Sequence, residues 1–417
     1  MKKIFFLTLL LIAIKINAQN NWEQTSLLEF NDTANYSICF NSLYATQSNA
    51  LNKKFIQAVN QSSFLSDDIK KSNPIKAYNY LLYNLNEEFS LYHMPDSLFG
   101  MDKTGYHIGL SYKQLFTSAF NGDLYNIIAF GNKMFAGKEA DFSQSLFQFF
   151  DYGTLSCGLY KIFEDDNTVT KAIFDFNLHA FKDIQYLYIP NASIYTAEDG
   201  SFIDLRLRGN YRAKNNQAFN IPGISFNTGI SFYNISSHTQ FLFQVKQLGF
   251  AFLNNRSYHA TIDTLIHYEG IQIENIISNP LYNSGLLSND SISQLYNNYL
   301  DTSSSIILLP ETILFSINHL FEHKLFSNFN FGLSYQFHTK QKRPEVFISQ
   351  SIKINSKLQF AIGSSIGGYT SLSPFLNTYY KIGKNNILFL YVTNPITYIL
   401  NKYAYNTTLL FSFKQYW

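Results

Sequence analysis

The stretch Gly223-Ile224-Ser225-Phe226-Asn227-Thr228-Gly229-Ile230-Ser231-Phe232 decides the fold. Successive side chains of a strand point to opposite faces. Ile224, Phe226, Thr228, Ile230 and Phe232 therefore share one face, and Gly223, Ser225, Asn227, Gly229 and Ser231 share the other. A half-buried strand in water alternates in the same way. Two features set this run apart. It is as long as the ~9–11 residues that a tilted strand needs to cross a bilayer. Its second face is small and polar, which suits a wet lumen.

The same pattern recurs from about residue 105 to the end of the chain. Tyr106, Ile108, Leu110 and Tyr112 share one face, with His107, Gly109, Ser111 and Lys113 on the other. Further alternating segments fall at 124–134, 151–163, 168–181, 200–212, 239–254 and 257–272. Others follow at 310–323, 325–339, 344–355, 357–368, 371–383, 385–397 and 403–417. Turn signals at Asn254-Asn255 and Gly383-Lys384-Asn385-Asn386 separate adjoining runs. Every backbone group in lipid needs a partner, so the sheet must close. Bacterial single-chain barrels have an even strand number. The expected fold is all-β: a transmembrane antiparallel β-barrel of about 14 strands, with 12 and 16 as the neighbouring options.

Composition agrees. Charged residues are 14% of the 417 residues, against ~25% in soluble domains. Aromatics reach 17%, with Phe 40 and Tyr 30. The mean hydropathy of -0.10 excludes a helical membrane bundle, whose spans are ~20 apolar residues long. Net charge is +2, so no strong field for nucleic acid follows. The last strand adds a separate sign. Leu409, Phe411, Phe413 and Trp417 lie on one face, interrupted by Gln415. An aromatic C-terminal residue on an alternating strand resembles the signal read by outer-membrane assembly machinery.

The N-terminus reads as an address. Lys2 and Lys3 precede the apolar run Ile4 to Ile14, and Ala18 offers a small residue for cleavage. Residues 1–18 are expected to be a signal peptide and the cell outer membrane the destination. Residues 50–92 read as helix, from Leu51, Phe55, Ile56 and Val59, then Ile69, then Tyr78, Leu81, Leu82 and Leu85. The domain reading is a segment over 19–104 carrying a helical plug, followed by a barrel over 105–417. Phe55, Ile56, Val59, Leu81, Leu82 and Leu85 are the plug candidates. A helical insertion is expected near 275–303.

Some short stretches resemble pieces of Bacteroidota outer-membrane barrels. They are Ala129-Phe130-Gly131-Asn132-Lys133, Phe135-Ala136-Gly137-Lys138 with Tyr152-Gly153, Val245-Lys246-Gln247-Leu248-Gly249-Phe250, and Leu309-Pro310-Glu311. That family is similar to long-chain fatty-acid transporter (FadL-like) barrels and to barrel subunits of type IX secretion. The resemblance implies a barrel with a helical N-terminal insert and implies no particular substrate. The fatty-acid transporters usually carry Asn-Pro-Ala near the N-terminus. Here the nearest stretches are Asn49-Ala50-Leu51 and Asn73-Pro74-Ile75.

Signs of catalysis or metal binding are weak. His319, Glu322 and His323 do not have zincin spacing, and on a strand two positions four apart lie ~13 Å from each other. Ser334 and His338 share a strand face with nothing to orient the His. Cys39 and Cys157 read as isolated thiols. Neither an enzyme nor a cofactor is expected. The function expected is a channel or transporter for a small hydrophobic or amphiphilic solute, with a kink or gap in the wall as one exit. The alternative is a structural or assembly barrel that anchors or shuttles surface or secreted proteins, docking through the loops at 182–220 and 275–303. Expected partners are outer-membrane lipid, a hydrophobic ligand and, for the alternative, secretion or surface proteins.

Overall fold

The computed structural model describes residues 36–60, 65–214, 221–269, 300–321, 323, 325–340, 343–395 and 406–417. The signal-peptide reading and most of the 275–303 insertion lie outside them. Sixteen strands carry the architecture. They are β1 (Tyr36–Ser48), β2 (Tyr78–His93), β3 (Thr104–Asn121), β4 (Ser145–Asp165), β5 (Thr168–Thr196), β6 (Phe202–Ala213), β7 (Ile221–Asn234) and β8 (Thr239–Leu253). They continue as β9 (Tyr258–Glu269), β10 (Thr312–Leu320), β11 (Phe326–Gln336), β12 (Glu345–Lys353), β13 (Leu358–Gly367), β14 (Thr370–Ile382), β15 (Asn386–Thr393) and β16 (Asn406–Tyr416).

All of these except β6 and β9 pair in chain order, antiparallel, into a closed barrel of 14 strands. Closure is made by β1 on β16, in register from Ser37 opposite Tyr416 to Gln47 opposite Asn406. Tyr36 and Trp417 complete the ladder by exchanging both backbone hydrogen bonds at 3.1 Å. No sheet edge is left within the wall, as lipid requires.

The expected faces are the observed ones. Leu110 is 60% exposed on the outside of β3, whereas Ser225 on the lumen face of β7 is fully buried. Ile108, Leu155, Leu159, Phe174, Leu178, Ile230 and Phe232 extend the apolar belt around neighbouring strands. An apolar outer belt on a closed 14-strand barrel defines a protein of the outer-membrane class. At one end the strands join by tight connections, such as Asp165 to Thr168 and Asn234 to Thr239. Both described termini sit at that end. The other end carries long excursions, so by the usual asymmetry of such barrels it is the extracellular one. At the short-turn end, Tyr36 stacks on His93 at 4.1 Å and lies 6.2 Å from Trp417, and His93 meets Tyr106 edge-on at 5.3 Å. This is a segment of interfacial aromatic girdle.

The N-terminal region differs from its sequence reading. The barrel begins at Tyr36, not near 105, and Tyr78–His93 is a full strand paired to β1 and β3. Among the described residues, α-helix is confined to α1 (Lys53–Asn60) and α2 (Asp67–Lys71) in the β1–β2 connection, and to α3 (Gly122–Phe130) after β3. Asn121 caps α3 by accepting from Leu124 N at 3.1 Å. Gly131, at φ +80, ends it.

β5 has 29 residues, roughly three times a membrane crossing of ~9–11. Its first half pairs with β7, from Thr168 opposite Asn234 to Phe181 opposite Ile221. Beyond Gln185 it pairs with β6 instead, and β6 pairs with β9. A small sheet therefore projects past the barrel. Its lipid-side face is covered by Leu124 and Ile127 of α3 and by Phe142, packed on Ile189, Ala192, Leu205 and Leu207.

This topology predicts opposite labelling of two positions. A cysteine at Asp199 should react with an impermeant maleimide on intact cells expressing the barrel. A cysteine at Asn167 should react only after the outer membrane is permeabilised. The reverse pattern would invert the barrel.

Candidate functional site

Inward side chains leave a cavity of about 220 Å³ in the lumen. It is small beside the ~300–1,000 Å³ of drug-sized sites, so it admits one small molecule. Its wall is mostly polar: Asn84, Asn86, Glu88, Ser111, Lys113, Thr154, Asp175, Asn177, Asn227 and Gln244 all contribute. The period-two pattern places them there, because each alternates with a lipid-facing apolar neighbour.

Several groups pair across strands far apart in sequence. Lys113 donates to Gln247 Oε1 at 2.8 Å, and Gln247 Nε2 donates to the Tyr152 hydroxyl. Gln247 sits at φ +59 in a bulge where β7 and β8 lose register between Phe226 and Thr228. Asn227 Oδ1 accepts the Gln247 backbone N–H at 2.9 Å and fixes the bulge. His179 is held at both ring nitrogens, by Thr154 at 2.9 Å and by Ser225 at 2.8 Å. Asn177 also donates to Ser225, at 3.2 Å. Glu345 accepts from Ser334 at 3.1 Å and from Ser365 at 2.6 Å. Lower in the lumen, His107 Nδ1 and Asp175 Oδ1 lie 3.2 Å apart without hydrogen-bond alignment, and Tyr92 stacks on the imidazole at 5.1 Å.

Toward the long-loop end the cavity is closed by an apolar layer. Tyr80, Leu82, Leu115, Phe150, Tyr152, Phe181, Leu253 and Leu309 pack together, with Tyr369 among them. Tyr369 belongs to the β13–β14 connection, after Gly367 and Gly368 at φ +104 and +61. Those left-handed positions let the turn fold inward. The ring meets Tyr80 edge-on at 6.4 Å, and its hydroxyl donates to Gln336 at 2.8 Å.

The plug candidates do not come together in the lumen. Phe55 and Ile56 pack with Leu51, Tyr125 and Ala129 against Leu81, Phe120 and Phe147. Those three point outward from their strands, so the cluster caps the outer rim of the wall. Val59 is exposed. Leu85 shares the outward face of β2 with Leu81. Leu82 alone faces the lumen, as part of the apolar layer. Among the described residues, wall side chains and not a helix occupy the lumen. Tyr369 and Gln247 were missed by sequence reasoning; Gly367-Gly368 before an aromatic residue was the available signal for the first.

The chemistry discounted in the sequence stays dispersed. Ser334 serves Glu345, and His338 is not its partner. His319 bonds Thr239 at 3.0 Å, whereas His323 accepts backbone N–H groups of its own turn. Cys39 is buried and Cys157 exposed, both as free thiols. Among the described residues no group of three or more His, Cys, Asp or Glu side chains converges for a metal.

On the projecting sheet, His267 lies 2.5 Å from Asp204 and 3.5 Å from Glu269. Its hydrogen bond to Asp204, aided by both carboxylate charges, raises its pKa above the usual imidazole range.

No family model and no curated protein matches the sequence. Among solved structures, the chain is similar to a monoaromatic hydrocarbon channel, the TodX deltaS2S3 mutant, at 9% identity and a TM-score of 0.47, covering 96% of each chain. It is also similar to the TodX deltaS2 mutant at 8% identity and TM-score 0.44, covering 94% of this chain and 92% of that one. A Pseudomonas aeruginosa FadL homologue gives 8% identity and TM-score 0.38, covering 91% and 88%. Likenesses at this level concern barrel architecture alone.

Two outcomes follow. Gly158 lies between His107 and Asp175, and a Cβ there would stand 2.0 Å from Asp175 Oδ1 and 2.8 Å from His107 Nδ1. Gly158→Ala should separate the pair and destabilise the barrel by about 1–3 kcal/mol, the usual cost of overpacking; urea unfolding in vesicles measures it, and an unchanged midpoint would contradict the contact. Because the folded His267 pKa is raised, its contribution is present below the unfolded value of ~6.5 and is lost as pH rises through the folded value. The imidazole NMR titration should have its midpoint above that of free histidine, and Asp204→Asn should lower it.

Proposed function

We propose that the protein is an outer-membrane channel for a small amphiphilic solute. The observation that carries this is a polar cavity directly beneath an apolar layer inside a closed barrel. A bare hydrocarbon would leave acceptors such as Gln244 Oε1 and Asn84 Oδ1 below without partners, at ~1–3 kcal/mol for each buried group. A purely polar solute would have to cross the ring of Phe150, Phe181, Leu115 and Tyr369. A molecule with an apolar part and a polar part matches both. The bulge at Gln247 and the change of partner along β5 are the irregularities in the wall that suit a sideways exit of the apolar part. Outer-membrane lipid is the partner of the apolar belt. Phe411, Phe413 and Trp417 are the assembly signal in this reading; on the last strand Phe411 and Phe413 share a face with Leu409.

One observation favours the assembly-barrel alternative. The projecting sheet presents Leu265, Ile266 and Tyr268 of β9 on its surface. Stoichiometric co-purification of a surface protein, lost on deletion of that sheet, would favour this role over transport.

For the channel, Tyr369 is the part of the closing layer that a turn, and not a wall strand, supplies. Tyr369→Ala should raise single-channel conductance several-fold in planar bilayers while leaving the barrel folded by circular dichroism. Conductance unchanged in this variant would remove Tyr369 as the closing element.

A further inference from the structure

A second recess, of about 420 Å³, lies at the mouth, on the long-loop side of the apolar layer. Ile307 of its lining belongs to that layer and Tyr186 packs against it, so the recess sits directly on the closing ring. Strand register brings its wall together. Leu146 and Gln148 of β4 stand opposite Tyr188 and Tyr186 of β5, and Arg212 of β6 stands opposite Tyr186 on the other side. The short strand Ser305–Leu308 pairs with the top of β8, with Ile307 opposite Ala251. Arg212 reaches that strand by donating from Nη1 to the Ile306 carbonyl at 3.1 Å. The β11–β12 connection comes in from across the mouth. His338 and Lys340 sit in it at φ +61 and +57. Lys340 Nζ donates to Gln144 Oε1 at 2.8 Å and to the Tyr188 hydroxyl at 3.0 Å.

The charge of this recess is one-sided. Arg212, Lys340 and His338 line it, and among the described residues no carboxylate does. Only neutral groups hold the two fixed cations. The Arg212 guanidinium lies 5.9 Å from the Tyr186 ring centroid, and Lys340 Nζ lies 4.3 Å from that of Tyr188. Those two tyrosines share one face of β5, about 7 Å apart along the strand, so the two cations stand side by side. Arg212 Nε is buried with no hydrogen-bond partner among the described residues. A cation partly withdrawn from water without a counter-charge keeps much of its desolvation cost. An oxyanion supplies that charge. It also accepts from the donors that the ammonium and the guanidinium have left. The floor beside them is apolar, made by Leu146, Ile307 and the Tyr186 ring.

Building on the channel reading, we propose that this recess is the entry site of the channel and takes small amphiphilic anions. The oxyanion, a carboxylate or a phosphate, binds between Arg212 and Lys340. The apolar part lies on Leu146 and Ile307, next to the layer that it must pass. The cavity of about 220 Å³ beneath that layer keeps the apolar part short. Cations of the same skeleton meet like charge at the mouth, so the barrel selects by charge before its closing layer is reached.

The test uses the full-length barrel in phosphatidylcholine nanodiscs and calorimetric titration with four probes of one hexyl skeleton. Hexanoate and hexyl phosphate carry the two oxyanions, 1-hexanol no charge and hexylammonium a positive charge. The tighter of the two anions identifies the head group. It should bind at least about tenfold tighter than hexanol and hexylammonium, roughly the factor of one charge-assisted pairing. Arg212→Gln and Lys340→Gln should each weaken that anion at least about fivefold and leave hexanol unchanged. Lys340 is exposed, so Lys340→Gln gives a folded barrel even where Arg212→Gln does not. Equal or tighter binding of hexanol or hexylammonium overturns the proposal. So does an anion affinity that Lys340→Gln leaves unchanged, or the absence of anion binding to a barrel that is folded by circular dichroism. The channel reading is judged separately by the conductance of Tyr369→Ala: a conducting variant of a barrel that binds neither anion keeps the channel and removes the anion site.

Discussion

Lipid cannot hydrogen-bond a backbone, and the rest of this structure depends on that constraint. It forces the first strand to find the last. The ladder between Tyr36–Ser48 and Asn406–Tyr416, finished by Tyr36 and Trp417, turns an open meander into a wall without edges. It also decides where the chain is allowed to be irregular. β5 changes partner from β7 to β6 above Phe181, and only beyond that point do the strands outside the barrel, β6 and β9, appear. Exposed positions such as Leu265 and His267 belong to that projecting sheet, where water serves any group that the sheet leaves unpaired.

Closing 14 strands makes a lumen too wide for small residues to fill. The wall solves this with alternating large and small inward positions. Phe347 lies over Gly332 and Phe375 lies over Gly363, since a Cβ at either glycine would stand about 2 Å from the facing ring. The same device joins His107 to Asp175 across Gly158. Among the described residues, packing of this kind is what occupies the lumen. It also places aromatic bulk toward one end and polar groups toward the middle, so one mechanism builds both the closing layer and the cavity.

The fold was legible where one strand face is uniformly apolar. Residues 106–113 and 223–232 have lipid on one side and small polar groups on the other, and both faces read correctly. β2 was not legible for a physical reason. Its lumen face includes Tyr80 and Leu82 of the apolar layer, so neither face is polar at that end, and Tyr78, Leu81, Leu82 and Leu85 coincide with helical spacing. The helices that do exist lie only between Lys53 and Lys71 in that region. The polar character of the lumen was legible from Ser225, Asn227 and Ser111. Its pairings were not: Lys113 and Gln247 are 134 residues apart, and they meet because a bulge turns Gln247. No local pattern carries that contact.

The order of the two lumen regions then limits what can pass. In the channel reading, a solute coming from the long-loop end meets Tyr369, Phe150 and Phe181 before it meets any charge of the lumen cavity. Polar groups on the solute must shed water at that layer, and the cost is recovered only at partners below it. Those partners already bond one another in part, as Lys113 does with Gln247 and Glu345 with Ser334 and Ser365. The cavity is therefore organised before a solute arrives, and little ordering is left to oppose binding. In the channel reading, a site so prepared favours a molecule that matches its donors and acceptors over one that is simply apolar. The barrel wall explains how the protein resides in the membrane; in the channel reading, the polar lumen beneath Tyr369 is where a solute finds its first partners past the apolar layer.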